Sequence, residues 1–238
     1  MKHVGITGSF NIGELYMSIY TKIILFILSL PKTIYFNLKY FKLKDAIRLP
    51  VLISHRVVLD KLKGEFIIEH PISFGLIKIG FGGVRIFDRK YSRSVWCLNG
   101  RVIFKGRASL GYGTKLSVFG GEVTFGRNFA ISAQTQLICN KCISFGDDVL
   151  IGWDCLIMDT DAHHIMNTDG KVINEPEKII IGNRVWIGAR CTIIKGTTVG
   201  NDVVVATNSC MYGKNEVSNC IVGGNPVRVL KENITWKV

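Results

Sequence analysis

The stretch VWIGARCTIIKGTTVG, residues 185–200, decides the fold, because its apolar residues recur at every sixth position. Extended in both directions, the ladder reads Ile181, Ile187, Ile193, Val199, Val205 and Met211. The residue after each rung is mostly small (Gly182, Gly188, Gly200, Ala206), and four residues after each rung come Val185, Cys191, Thr197, Val203 and Ser209. A helix requires a period of about 3.6 and an alternating strand a period of 2, so neither produces this spacing. A coil with three short flat faces does produce it, each six-residue unit giving one strand and one corner. The aliphatic rungs then point inward, and the spacing predicts Ile181 stacked under Val199 and Ile187 under Val205.

The same phase runs backwards through Ile157, Ile151 and Phe145, so residues 159–178 leave the ladder as a protruding loop and return in register. Phe125, Ile131 and Leu137 form an earlier six-step run displaced by two residues. From Phe66 to Val118 the chain is rich in β-branched and aromatic residues punctuated by glycine, which extends the coil upstream without fixing its individual turns. The expected division is a basic, apolar and helical extension over 1–63, an all-β parallel coil over 64–230 and a short tail over 231–238.

Of 238 residues, 47% are hydrophobic and 20% charged, enough to build a sizeable core. Lys32 to Lys63 contains half of the net charge of +12, which makes a polyanion or an anionic membrane candidate partners for that stretch. No nucleic-acid motif interrupts the repeat, and Gly5, Gly8 and Gly13 lack the lysine and hydroxyl of a phosphate loop. No nucleic-acid partner is expected. The seven cysteines have no framework spacing and follow no cleavable-signal pattern, which suits reduced thiols in the cytoplasm. The longest apolar run, Ile23 to Leu30, is too short for a membrane span. Residues 15–48 nevertheless mix bulky apolar side chains with lysines. That composition serves either a helix packed on its own core or a peripheral contact on the inner face of the cytoplasmic membrane.

The units IGNRVW, IGARCT, IIKGTT, VGNDVV and VATNSC resemble the hexapeptide repeats of the left-handed β-helix acyltransferases, and the ending GGNPVRVL resembles that family's small-x-P-x-R. Phe125 to Leu230 carries the match well, Phe66 to Phe125 weakly, and the first 60 residues not at all. Within the family the chain looks most like the galactoside, maltose and surface-polysaccharide O-acetyltransferases. The resemblance implies acetyl-CoA as co-substrate, no metal and a homotrimer.

Acyl transfer to a hydroxyl needs a base near neutral pKa, and two of the five histidines sit together in MDTDAHHI, residues 158–165. Asp159 and Asp161 lie close enough in sequence for one of them to orient an imidazole. The family alignment places His163 on the catalytic histidine; His164 is the other candidate base and is otherwise counted with the residues that bind the substrate. It places Trp186 and Ala189 by the thioester, Thr207 and Asn208 along the pantetheine arm, and Lys214 and Arg228 near the nucleotide end. The family's sugar-holding asparagine is replaced near Ser132 and Gln134, which points to a different acceptor, and Lys214 is displaced by one place. Asp154 either binds a sugar hydroxyl or closes a corner. The reaction implied is acetyl transfer to a sugar hydroxyl of a surface polysaccharide, glycolipid or precursor. Its rivals are a sugar-nucleotide N-acetyltransferase, a non-catalytic scaffold, and a metal hydratase, which needs three histidine ligands where the repeat region offers two.

Overall fold

Six-residue units with an inward aliphatic rung can bury that rung only by winding into a prism, and the chain does so. The computed structural model describes residues 12–82, 84, 86–88 and 91–237, with side chains in the first helix from residue 23 onward. The glycines of the first 11 residues fall outside it. Three sheets of parallel strands form three faces. The first face runs through Val51–Ile53, Ile77–Phe81, Ala108–Gly111, Phe129–Ala133, Leu150–Trp153, Trp186–Ile187, Val203–Val205 and Cys220–Gly224. The second begins at Val57–Leu62 and includes Gln136–Cys139, Leu156–Met158 and Thr192–Ile194. The third begins at Glu65–Ile68 and includes Cys142–Phe145, Ile179–Ile181 and Thr198–Val199.

The register follows the ladder. Ile181 lies opposite Val199, Ile187 opposite Val205 and Ile193 opposite Met211. Across the loop, Phe145 pairs with Ile181, Ile151 with Ile187 and Ile157 with Ile193, so the chain does return in phase. The two-residue displacement upstream is absorbed at corners, since Phe125, Ile131 and Leu137 still sit under Phe145, Ile151 and Ile157. All these rungs are buried. Along one inner edge the rings of Phe66, Phe104, Phe125 and Phe145 stack with centroids 5.1, 4.8 and 5.6 Å apart, a column each of whose members is worth about 1.5–3 kcal/mol of burial.

The coil starts earlier than residue 64. Val51 and Ile53 pair with Ile77 and Ile79, and Val57–Leu62 pairs with Ser94–Leu98, so 51–63 belong to the first coil. Insertions at 69–76 and 82–93 break the six-residue period there, and Lys61 and Lys63 are exposed while Val57 is buried and Leu59 and Leu62 are half-buried. The tail is also structured: Val227–Glu232 turns back antiparallel on Cys220–Gly224 and covers the last edge of the first face.

The other end is covered by a helix, α1 (Ile12–Tyr40), as expected of the extension. Its inward stripe is polar as well as aromatic. Asn37 donates through Nδ2 to the Val51 carbonyl at 2.7 Å and accepts from the Val51 N–H at 3.2 Å, as a neighbouring strand would. Thr33 Oγ1 accepts from Ile53 N–H at 2.9 Å, and Ser29 Oγ from His55 N–H at 3.0 Å. Phe36 packs edge-on to Phe66 and Trp96 beneath them. Asn37→Ala would leave two buried backbone groups of the edge strand without partners. It is expected to lower stability by about 2 kcal/mol, seen as a lower urea midpoint at unchanged slope.

Candidate active site

Where the first face turns into the second, five successive coils each place one residue in the left-handed region: Gly113, then Gln134, Asp154, Arg190 and Asn208, with φ between 57° and 60° for the last four. They form a column, each joined to the coil below, with Asp154 N–H on Ala133 O at 3.1 Å, Arg190 N–H on Trp153 O at 2.9 Å and Asn208 N–H on Ala189 O at 3.0 Å. The residues just before them, Ala133, Trp153, Ala189 and Thr207, form a second column alongside. Gly152 and Gly188 leave room here. A Cβ on Gly152 would come within 2.8 Å of the Ala189 nitrogen, and one on Gly188 within 2.8 Å of the Thr207 nitrogen. These two N–H groups donate to no acceptor among the described residues, so successive coils present two open amides at one corner.

This corner gathers much of what the sequence singled out. Ala189, Thr207 and Asn208 stand together, with Gln134 and Asp154 on lower coils and half-buried Ser132 two residues before Gln134. Trp186 lies on the adjoining first face, partly exposed, 6.0 Å from the ring of Trp236, whose Nε1 donates to Arg184 O at 2.8 Å. Arg190 lies 3.7 Å from Asp154, so Asp154 does sit at a corner, facing a cation. Gln134 is already engaged: its Oε1 accepts from Ser92 Oγ at 2.8 Å and its Nε2 donates to Tyr112 Oη at 3.1 Å. Arg228 sits on the closing strand opposite Gly223 of the first face. Lys214 does not join the group. It pairs with Thr198 on the third face, because the corner at Tyr212-Gly213 carries the chain onward before the lysine is reached.

The histidines occupy another corner, between the second and third faces, on the loop that leaves after Met158 and rejoins at Ile179. Ala162 takes φ 62° and His163 N–H donates to Asp161 O at 2.7 Å, a tight turn that projects both imidazoles outward. His163 and His164 are exposed, and neither ring has a hydrogen-bond partner among the described residues. The loop is tethered by its own Asn174 and by Lys195 on the next coil. Asn174 Nδ2 donates to the carbonyl of His163 and to Asp161 Oδ2, both at 2.8 Å, and Lys195 Nζ donates to Asp161 Oδ2 at 2.5 Å and to Asn174 O at 2.9 Å.

Neither carboxylate is hydrogen-bonded to a histidine ring among the described residues. Asp159 is fully buried and accepts the backbone N–H groups of Asn140, Lys141 and Cys142 at 2.7, 2.8 and 2.8 Å, which fastens the corner one coil below. Cys139 Sγ donates to the same carboxylate at 3.3 Å, and burial together with that negative charge pushes the Cys139 thiol well above its ordinary range. The C-x-x-C at 139–142 is therefore a protonated corner element. Asp161 is spent on Lys195 and Asn174, whose hydrogen bonds hold its carboxyl below the ordinary range. The tether is thus complete at neutral pH and weakens as pH falls from the ordinary carboxylate range through that depressed value. Lys195 and Arg190 carry no signal in the sequence, because their partners Asp161 and Asp154 are distant along the chain. Lys195→Met should cost about tenfold in kcat/KM by loosening the histidine loop, while stability changes by no more than about 0.5 kcal/mol, as befits a partly exposed ion pair.

Residues 178–211 match the family model described as the hexapeptide repeat of succinyl-transferase. The chain is 33% identical over 119 residues to a polysialic acid O-acetyltransferase of Escherichia coli O1:K1, covering 49% of this chain and 38% of that protein. It is 31% identical over 116 residues to the galactoside O-acetyltransferase of Escherichia coli K12, covering 48% of this chain and 56% of that protein. The aligned stretch thus spans about half or less of these relatives. A crystal structure of a polySia-specific acetyltransferase superposes with a TM-score of 0.50 at 22% identity over 79% of each chain, a likeness of fold. With the repeat model seated on residues 178–211 and the rungs stacked as that repeat requires, the chain carries hexapeptide repeats, and its fold is the left-handed β-helix.

Proposed function

We propose that the chain is an acetyl-CoA-dependent O-acetyltransferase that modifies a sugar hydroxyl of a surface polysaccharide, a glycolipid or one of their precursors. The observation that carries this reading is the pairing of an open corner, with free amides at Ala189 and Thr207, and an exposed loop bearing the unpartnered His163. Its relatives, named for acetyl transfer to saccharides, support the reaction class.

The residues at the corner fit a thioester-bearing ligand: small side chains beside two open amides, an indole on the adjoining face, and Arg228 above. Bound there, acetyl-CoA supplies the activated carbonyl. His163 takes the proton from the acceptor hydroxyl as that oxygen attacks the thioester carbonyl, the Ala189 amide donates to the oxygen on which charge develops, and the C–S bond then breaks so that coenzyme A leaves as the thiol, with the proton returned by His163. Trp186 and Thr207 position the reacting end, and no protein nucleophile is required.

Within one chain the loop and the corner stand on different edges of the prism, separated by the second face. A homotrimer resolves this, with the loop of one copy facing the corner of the next. Ile165, Met166 and Ile173 on the loop are each more than half exposed, as side chains destined for such a contact would be. We place the enzyme in the cytoplasm, where the thioester is made and where its seven free thiols stay reduced. The test mixes pure protein with acetyl-CoA and a panel of sugar hydroxyl and sugar amine acceptors, and follows release of free thiol. Acetylation of hydroxyl acceptors is expected, and transfer confined to amines would replace this reading with N-acetylation.

A further inference from the structure

Helix α1 has two faces of different character. Ser29, Thr33, Phe36 and Asn37 are buried against the first coil. On the opposite side Ile24, Ile27, Leu28, Ile34, Tyr35 and Leu38 follow one another at helical spacing and are 45–57% exposed. No charged side chain interrupts this stripe, because Lys32 is turned toward the coil, where Nζ donates to His55 O at 2.7 Å and Val57 O at 2.5 Å. Beyond the stripe, Leu43 and Ile47 are exposed, and so is Phe74, whose ring lies 6.2 Å from that of Phe26. At the carboxyl end of the helix Lys39, Lys42, Lys44 and Arg48 are all exposed, and no acidic residue lies between Glu14 and Asp45.

Ile23–Tyr40 is long and apolar enough to cross a membrane by length and composition, although its uninterrupted apolar run is short. Crossing would tear Ser29, Thr33 and Asn37 from the backbone of Val51, Ile53 and His55 and uncover the edge strand. A helix lying flat keeps every one of those bonds. A second copy of the chain packed on this face would bring the two sets of cations together with no acid on the stripe to offset them, whereas anionic headgroups complement them.

We propose that this end of the prism docks on an anionic phospholipid bilayer, with α1 lying in the interfacial plane. The apolar stripe dips into the acyl boundary, and Lys39, Lys42, Lys44 and Arg48 rest among the phosphates. The proposal stands apart from the acyl-transfer reading, since its readout is binding and requires no turnover.

The test is flotation of the full-length chain with vesicles of phosphatidylcholine mixed with phosphatidylglycerol, beside vesicles of phosphatidylcholine alone. Binding is expected to the mixed vesicles, to weaken with added salt, and to be released by an alkaline carbonate wash. Lys39→Gln, Lys42→Gln and Lys44→Gln should each weaken it by about fivefold. The pair Ile27→Gln and Leu38→Gln should weaken it by about tenfold or more. All are exposed positions, so an unchanged thermal midpoint is expected and separates lost docking from lost folding. Three results would overturn the proposal: no flotation of the parent chain, affinity unchanged in both sets of variants, or retention after the carbonate wash, which marks a span. Loss of self-association in the Ile27/Leu38 pair, without vesicle binding by the parent, would assign the face to a second copy instead.

Discussion

His163→Ala is expected to lower the rate of thiol release by about 10² to 10⁴-fold, with little change in thermal stability. The imidazole is exposed and holds no partner among the described residues, so truncation leaves no buried group unsatisfied and opens no cavity. What is lost is the acceptor for the hydroxyl proton. His164→Ala serves as the control, since the neighbouring ring projects from the same turn and is not the proposed base. It should affect acceptor binding more than the maximal rate, and so raise KM with a smaller change in kcat. A full rate with His163→Ala would remove the base from the mechanism and favour a scaffold.

Asp159→Ala is expected to have the opposite profile, a loss of about 3–5 kcal/mol in stability with the rate per folded molecule retained. The carboxylate is fully buried and satisfies three consecutive amides and a thiol at the corner Asn140–Cys142. Removing it strands those donors at a part-buried corner, where three amides and a thiol lose one shared acceptor. Chemical denaturation followed by far-ultraviolet circular dichroism checks the stability, and turnover measured well below the melting temperature checks the rate. Asp159→Asn, which keeps the shape, separates the two roles further. If its rate collapsed as His163→Ala is expected to while the fold held, Asp159 would be acting on the histidine after all.

The ladder from Phe125 to Met211 was legible because each rung is buried on all sides, so any polar or misplaced residue would cost several kcal/mol, and the period survives. Upstream the same inward rungs exist, yet corner insertions between Ile68 and Ser94 stretch the first two coils past any fixed period. The loop was legible as a gap in an otherwise regular phase. The direction of its carboxylates was not. Asp159 and Asp161 stand two residues apart, yet one turns into the prism and the other to Lys195, a choice fixed by amides and a cation distant in sequence. The corner column was half legible: Asn208 and Asp154 are ordinary left-handed residues, whereas Arg190 in that conformation carries no signal in its own identity. Lys214 was placed by motif, and the structure sets it on the third face opposite Thr198.

Both ends of the stack are sealed by elements outside the repeat, the Asn37 pairing on one side and the returning strand Val227–Glu232 on the other. Nothing in the interior sets how many turns are wound, since each rung meets only its immediate neighbours above and below. The height of the molecule is therefore a matter of where the two lids fall. An extra turn spliced between the helix and the histidine loop would raise one lid over the other by about 4.8 Å, moving the helix that much further from the loop while leaving the chemistry of either untouched.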